Sequence, residues 1–336
     1  MRNQQNDLSI KKEVIMKMLS GRIAALVGLS LLALVANAKQ SVDETMAADP
    51  SGVVDIEHVN GVAKIIGWDK NEVSVKGELG ENTEEFKFER DGSSIIIHVE
   101  QMKHSGWNNS GGKKNEDNLV IHVPIKSRVN YSSVNADLTI NSVHGGVNAD
   151  VVNGDMEVDD LIGRIRLESV NGDINAKRLN GDIFIETVNG DIRGKHSGEK
   201  ELKLSTVNGD ISVHSDSPEV NAETVNGDID LELQKVAEII VSTVNGSIDI
   251  DMDLQDDGRV EASSVGGSID LAFQKGVAAR FDLEAHAGGS IKNKITDKKQ
   301  TKAKYGPRRS LNFSTENPTG TIEVSTVHGR IEVSTR

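Results

Sequence analysis

Six aspartates recur at nearly constant spacing, Asp137, Asp155, Asp173, Asp191, Asp210 and Asp228. Stacked at one strand spacing, such carboxylates could hold calcium, which takes several hard oxygen ligands. The competing reading is that each Asp caps a nearby backbone amide beside an Asn that forms the turn. That reading is preferred, because calcium-binding nonapeptide solenoids carry Gly-Gly-x-Gly-x-Asp units and this chain has none. Like charges about 4.8 Å apart repel by only roughly 1 kcal/mol in water, so an exposed ladder survives without metal. No cofactor is therefore expected, with calcium the one candidate.

A second chemical feature is the cationic stretch Lys292, Lys294, Lys298, Lys299, Lys302, Lys304, Arg308 and Arg309, with Asp297 its one acid. It could contact an envelope glycan, an anionic lipid headgroup or an acidic protein surface by charge steering. The plainer reading is a solvated loop. Tyr305 alone gives too little stacking surface for single-stranded nucleic acid. The nine His residues form no His-x-x-x-His pair, no Gly-x-Ser-x-Gly elbow is present, and the glycines precede no helix.

The elements that position these residues are repeats. Val-Asn-Gly-Asp occurs around Asn153, Asn171, Asn189, Asn208 and Asn226, and variants place Asn135 before the series and Asn245 after it. Val265-Gly266-Gly267-Ser268, Ala287-Gly288-Gly289-Ser290 and Val327-His328-Gly329-Arg330 continue it more loosely. A second, variable turn lies half a period away, for example at Ile162-Gly163 and Asn180-Gly181. The residues between alternate, as in Ile183-Phe184-Ile185-Glu186-Thr187, which is strand periodicity.

Asn-Gly is a strong turn signal. A hairpin array gives no reason for one turn type always to fall on the same side, whereas a coil advancing one strand spacing per repeat does. The chain therefore reads as all-β, a two-sided β-solenoid of roughly 18-residue coils with an irregular N-terminal β capping region. Eight intervals from Asn135 to Gly288 give a rod core of roughly 40 Å at about 4.8 Å each. Ile, Val and Leu fill the thin interior, with Met156 and Val158 facing Ile165 and Leu167. Phe281, Leu283 and Ala285 fall one residue out of phase, which predicts a bulge or broken coil.

The organisation expected is a signal peptide at 1–38, a linker at 39–50, and a β region at 51–130 that begins or caps the solenoid. Regular repeats at 131–291, a basic loop at 292–310 and a C-terminal coil and cap at 311–336 follow. Lys11, Lys12, Lys17 and Arg22 precede the apolar run 23–36, and Ala36-Asn37-Ala38 ends it, the pattern of a cleavable secretory signal. Translation could start at Met1 or at Met16. Cleavage removes five basic and two acidic side chains, leaving 33 basic against 50 acidic. That balance argues against nucleic acid as partner, and no later apolar run is long enough to span a membrane. With no Cys, disulfides and thiol chemistry are excluded. Two Trp, two Tyr and six Phe make an aromatic-lined cofactor pocket unexpected.

The serial Ser/Thr-Val-Asn-Gly-Asp-Ile units, Gly67-Trp68-Asp69, Gly306-Pro307 and Ser325-Thr326-Val327-His328-Gly329 resemble the bacterial putative-adhesin family of repetitive β-solenoid domains of unknown function. The resemblance covers about residues 52–334, with His328 and Arg330 standing where Asn and Asp are usual. It implies an exported or envelope-associated solenoid. The function expected is a noncatalytic, adhesin-like or structural module in the periplasm, on the outer cell surface or secreted. A β-helix polysaccharide lyase or hydrolase and an envelope-stress regulatory partner are the alternatives; serial, similarly placed acids disfavour the enzyme, which needs two carboxylates in different environments.

Overall fold

The computed structural model describes residues 40–102, 116–198 and 200–336. The proposed signal segment 1–38 and the Gly-rich stretch 105–114 lie outside the described residues.

Every described regular element is a strand, and the strands wind into two walls. Take one coil: residues 165–171 run in one wall to the corner Asn171-Gly172-Asp173, and residues 174–179 leave it in the other. We call these the entry wall and the exit wall. Each half pairs in parallel with its equivalent in neighbouring coils, Ile165 opposite Val147 and Ile183 in the entry wall, and Ile174 opposite Met156 and Ile192 in the exit wall. Alternation does the sorting. Inward Ile, Leu, Val and Ala from both walls form one continuous core, including Met156, Val158, Ile165, Leu167, Ile248 and Ile250.

At the variable corner the backbone bends without breaking the ladder, so Met156–Asn171 and Ile174–Asn189 each pass through both walls. The bend is made by one left-handed residue, Ser142, Asp160, Arg178 or Lys235, followed directly by a buried aliphatic, Val143, Leu161, Leu179 or Val236. Non-glycine residues rarely adopt that conformation. The aliphatic that follows is drawn into the core at each of these bends.

Twelve coils stack in this way. Their order departs from the chain's order at both ends. The coil formed by Ser94–Gln101 and Asp117–Pro124 lies outside the coil Val53–Trp68, which therefore sits between it and residues 128–143. At the other end the C-terminal coil is inserted: Gly320–Thr326 pairs with residues 259–264 on one side and 279–285 on the other, and Arg330–Thr335 lies between 269–273 and 290–293.

Three expectations change accordingly. Residues 320–335 supply an internal coil, and the rod extends by two coils past its expected N-terminal end, to roughly 50 Å at about 4.8 Å per coil. Ala279–Ala285 is an unbroken strand, because its neighbour is the inserted coil and not residues 259–264; the phase slip in the sequence marks that displacement. The expected linker 39–50 contains the strand Gln40–Ala47, which pairs antiparallel with Glu72–Leu79 and buries Val42.

Antiparallel strands finish both ends. Glu72–Leu79 and Thr83–Asp91 cover the N-terminal coil, and Arg309–Ser314 covers Ala279–Ala285, with Thr301–Lys302 beyond it. An uncovered parallel edge would template association with other chains; these strands cover it on both walls at the N-terminal end and on the entry wall at the C-terminal end.

Candidate functional site

Each residue of the Thr-Val-Asn-Gly-Asp corner has a separate task. The Thr hydroxyl donates to the glycine carbonyl of the preceding coil, Thr206 to Gly190 at 3.1 Å and Thr224 to Gly209 at 3.2 Å. Each Asn side-chain amide donates to the Asn carbonyl oxygen one coil back, in an unbroken series through Asn135, Asn153, Asn171, Asn189, Asn208, Asn226 and Asn245 at 2.7–2.8 Å. Glycine is required by close approach: a Cβ on Gly209 would lie 1.9 Å from the Gly190 carbonyl oxygen. The Asp carboxylate accepts the backbone N–H of the next Asp, as Asp191 does from Asp210 and Asp210 from Asp228, both at 2.8 Å.

The aspartates are therefore aligned as expected, with one oxygen of each of the six engaged by the next coil's backbone. Arg193 binds Asp191 and reaches Asp173 at 3.5 Å. Among the described residues no group of three or more His, Asp or Glu is arranged to hold a metal ion. The ladder also has an earlier member that the sequence reading missed: Asn60 pairs with Asn135. The tripeptide Val59-Asn60-Gly61 was the available signal.

The basic stretch is divided by the fold. Lys292 and Lys294 both bind Glu332 of the inserted coil, and Arg308 binds Glu284. Together the two lysines hold the Glu332 carboxyl below the usual range. Arg309 begins a strand and stands opposite Lys302 and Ala285. Lys304 lies 5.4 Å from the Tyr305 ring centre, and Lys298, Lys299, Lys302 and Lys304 are exposed. Half of the expected contact set thus helps to seat the terminal coils.

The departure at Arg330 has a cause in this arrangement. Arg330, opposite Ser290, reaches into the exit wall's acidic row and donates to Asp270 at 2.8 Å, and Arg336 reaches Asp251 at 2.9 Å and Asp253 at 2.5 Å. Asp249, between Asp230 and Asp270, has its carboxyl pushed up by burial and then by those two neighbours and Asp251. On the entry wall, outward-facing Phe184 lies between Arg166 and Lys203, 4.3 and 5.9 Å from its ring centre.

Two internal groups resemble reactive constellations. His58 contacts the Tyr131 hydroxyl at 3.1 Å and Asp117 at 3.2 Å, while Asp117 also accepts from the Gly80 amide at 2.6 Å and the Thr83 hydroxyl at 2.8 Å. All three side chains belong to residues only 1% exposed, so no substrate reaches them. Burial raises the Asp117 carboxyl, but the bonds from His58, Gly80 and Thr83 outweigh it and hold the pKa low. The group pins the N-terminal coil to the turn at residues 80–83. His196, bonded to Ser215 at 2.9 Å, borders a void of about 10 Å³ between the walls, room for about one water.

Among curated proteins none matches the chain. Two solved structures are similar at 12% identity: a putative cell adhesion protein from Clostridium sporogenes, over 88% of this chain and 100% of that one with a TM-score of 0.22, and a putative adhesin from Bacteroides fragilis, over 88% and 98% with a TM-score of 0.32. The sequence model of one family, Toastrack DUF4097, matches residues 64–334. That span takes in all but the first of the stacked Val-Asn-Gly corners, and the chain belongs to the Toastrack DUF4097 family.

Proposed function

We propose that this protein is a noncatalytic, exported β-solenoid that acts as an adhesin-like or structural surface-binding module of the bacterial cell envelope. The observation that carries this reading is the in-register stacking of the coils. It turns each outward position into a row repeated at one strand spacing, suited to many weak contacts made together. The titratable groups fit the same reading: the His58, Asp117 and Tyr131 cluster is sealed, and the exposed acids stand in serial, equivalent positions.

The test has two arms. Fractionation of the native protein with N-terminal sequencing reports export and cleavage; a cytoplasmic protein retaining residues 1–38 overturns the reading. In the second arm, purified protein is incubated with envelope preparations and with acidic and neutral glycans, scoring binding and cleavage. Binding without cleavage is expected, and glycan cleavage would establish the enzyme instead. Because residues 292–309 include strands of the end cap, a charge-neutralised variant at Lys298, Lys299, Lys302 and Lys304 tests that contact better than a deletion.

A further inference from the structure

The outer face of the exit wall changes character at its N-terminal end. There Lys64 stands opposite Val120, and Val120 opposite Lys76, on three adjacent strands; one step along, Ile66 stands opposite His122. Trp68 completes the patch. Its Nε1 donates to the Glu72 carbonyl at 2.8 Å, its ring stacks on His122 at 4.8 Å between centres, and the Lys70 ammonium lies 4.5 Å from its ring centre.

Three lysines from two consecutive strands and the turn between them thus lie around one imidazole from a third strand. Burial first, then Lys70, Lys76 and Lys64, holds the His122 pKa below its ordinary value. The His122 Nδ1 is buried with no hydrogen-bond partner. Acids border the patch: Glu72 is 3.3 Å from Lys70 and Asp43 is 3.0 Å from Lys76, with all four side chains substantially exposed, while Glu78 and Asp137 stand one step further along the wall, opposite Asn118 and Val62. Exposed pairs of this kind exchange readily for another anion. Lys64 pairs with no acid among the described residues.

We propose that Lys64, Lys70, Lys76 and His122, arranged around Trp68, bind a carboxylate-bearing polysaccharide. The inference rests on the surface-binding reading above and adds to it a ligand class and a site away from residues 292–309. Charge complementarity selects the occupant: Lys64 has no acid partner among the described residues, and the Lys70 and Lys76 pairs are exposed enough to exchange for a carboxylate of the ligand. Lys64 and Lys76 are two strand spacings apart, about 10 Å, on a flat wall, so they can hold separate carboxylates of one extended chain. Val120 between them and the exposed Val62 beside them offer apolar surface to sugar C–H groups. A lipid surface is disfavoured because the indole cannot insert: its N–H is tied to Glu72, His122 stacks on it and Lys70 lies against it.

The experiment uses the native protein with polygalacturonate as probe, dextran as the neutral control and anionic phospholipid vesicles as the third arm. Salt-sensitive binding to polygalacturonate but not dextran is expected, weakened roughly tenfold in Lys64→Gln/Lys76→Gln and unchanged in Lys298→Gln/Lys299→Gln. Unaltered thermal melting of both variants shows that folding is intact. In addition, the His122 ring signals should titrate at higher pH when polygalacturonate is bound, because a nearby anion favours the imidazolium. Polygalacturonate binding that survives the Lys64/Lys76 substitutions and falls with Lys298/Lys299 overturns this site but leaves the surface-binding function standing. Lysine-dependent binding to vesicles alone overturns the choice of glycan. Absence of binding to any probe or to envelope preparations overturns both.

Discussion

The corner glycines give the most severe test of in-register stacking. In Gly209→Ala the new methyl group would sit 1.9 Å from the Gly190 carbonyl oxygen and 2.5 Å from its carbon. Both atoms are backbone, so no side chain can swing away. Relief requires the two coils to separate locally by about 1 Å, because heavy atoms need more than about 3 Å. That movement stretches the bonds from Asn208 N–H to Val188 at 2.9 Å and from Thr206 to Gly190 at 3.1 Å. Overpacking costs about 1–3 kcal/mol, and each weakened hydrogen bond adds about 0.5–1.5 kcal/mol. The expected loss is about 3–5 kcal/mol, at the upper end for single substitutions. Urea unfolding followed by far-ultraviolet circular dichroism measures it, with the neighbouring outward-facing Val207→Ala as a control expected to stay within about 0.5 kcal/mol. A Gly209→Ala protein as stable as that control would refute coil-on-coil contact at this corner.

Further outcomes follow from the same geometry. Asp117→Ala removes the buried partner of His58, Gly80 and Thr83 and should cost about 3–5 kcal/mol near neutral pH. Since the folded Asp117 pKa lies below its ordinary value, the native carboxylate's contribution is complete above the unfolded pKa and is lost as pH falls through the folded one. The gap between native and variant melting temperatures should therefore narrow in strong acid, and a constant gap would contradict the assignment. Arg330→Glu places a carboxylate beside Asp270 and Glu332 and should destabilise the inserted coil by roughly 1 kcal/mol at low salt and less at high salt; denaturation at two ionic strengths checks this. Calcium or a chelator should leave thermal melting unchanged, because one oxygen of each Asp in the ladder already accepts a backbone amide; a calcium-dependent rise would make the ladder a metal site.

Much of this fold is legible in the chain because a solenoid repeats one local rule. Strand alternation, an Asn-Gly corner and a constant spacing are short-range properties, and together they lead to two walls, an aliphatic interior and aligned Asn and Asp rows. The chemistry of the corner follows as well, since Asp beside a turn commonly accepts a backbone amide. The site on the exit wall was not legible in this way. Trp68 and Lys64 are near each other in sequence, but His122 and Lys76 join them only through strand pairing.

Periodicity by itself therefore established each coil's length, its inward residues and the amide-capping role of the corner Asp, whereas the corner Asn residues, expected to form the turn, keep negative φ and instead bond side chain to side chain from coil to coil. Which coil lies beside which was decided only in three dimensions. Parallel edges built from near-identical repeats accept one another almost equally, so spacing along the chain cannot select the neighbour. The choice depends on interactions between distant segments. Arg330 finding Asp270, Glu332 finding Lys292 and Lys294, and Phe281 stacking on Phe313 at 4.4 Å draw the C-terminal coil into the stack and close the rod behind it.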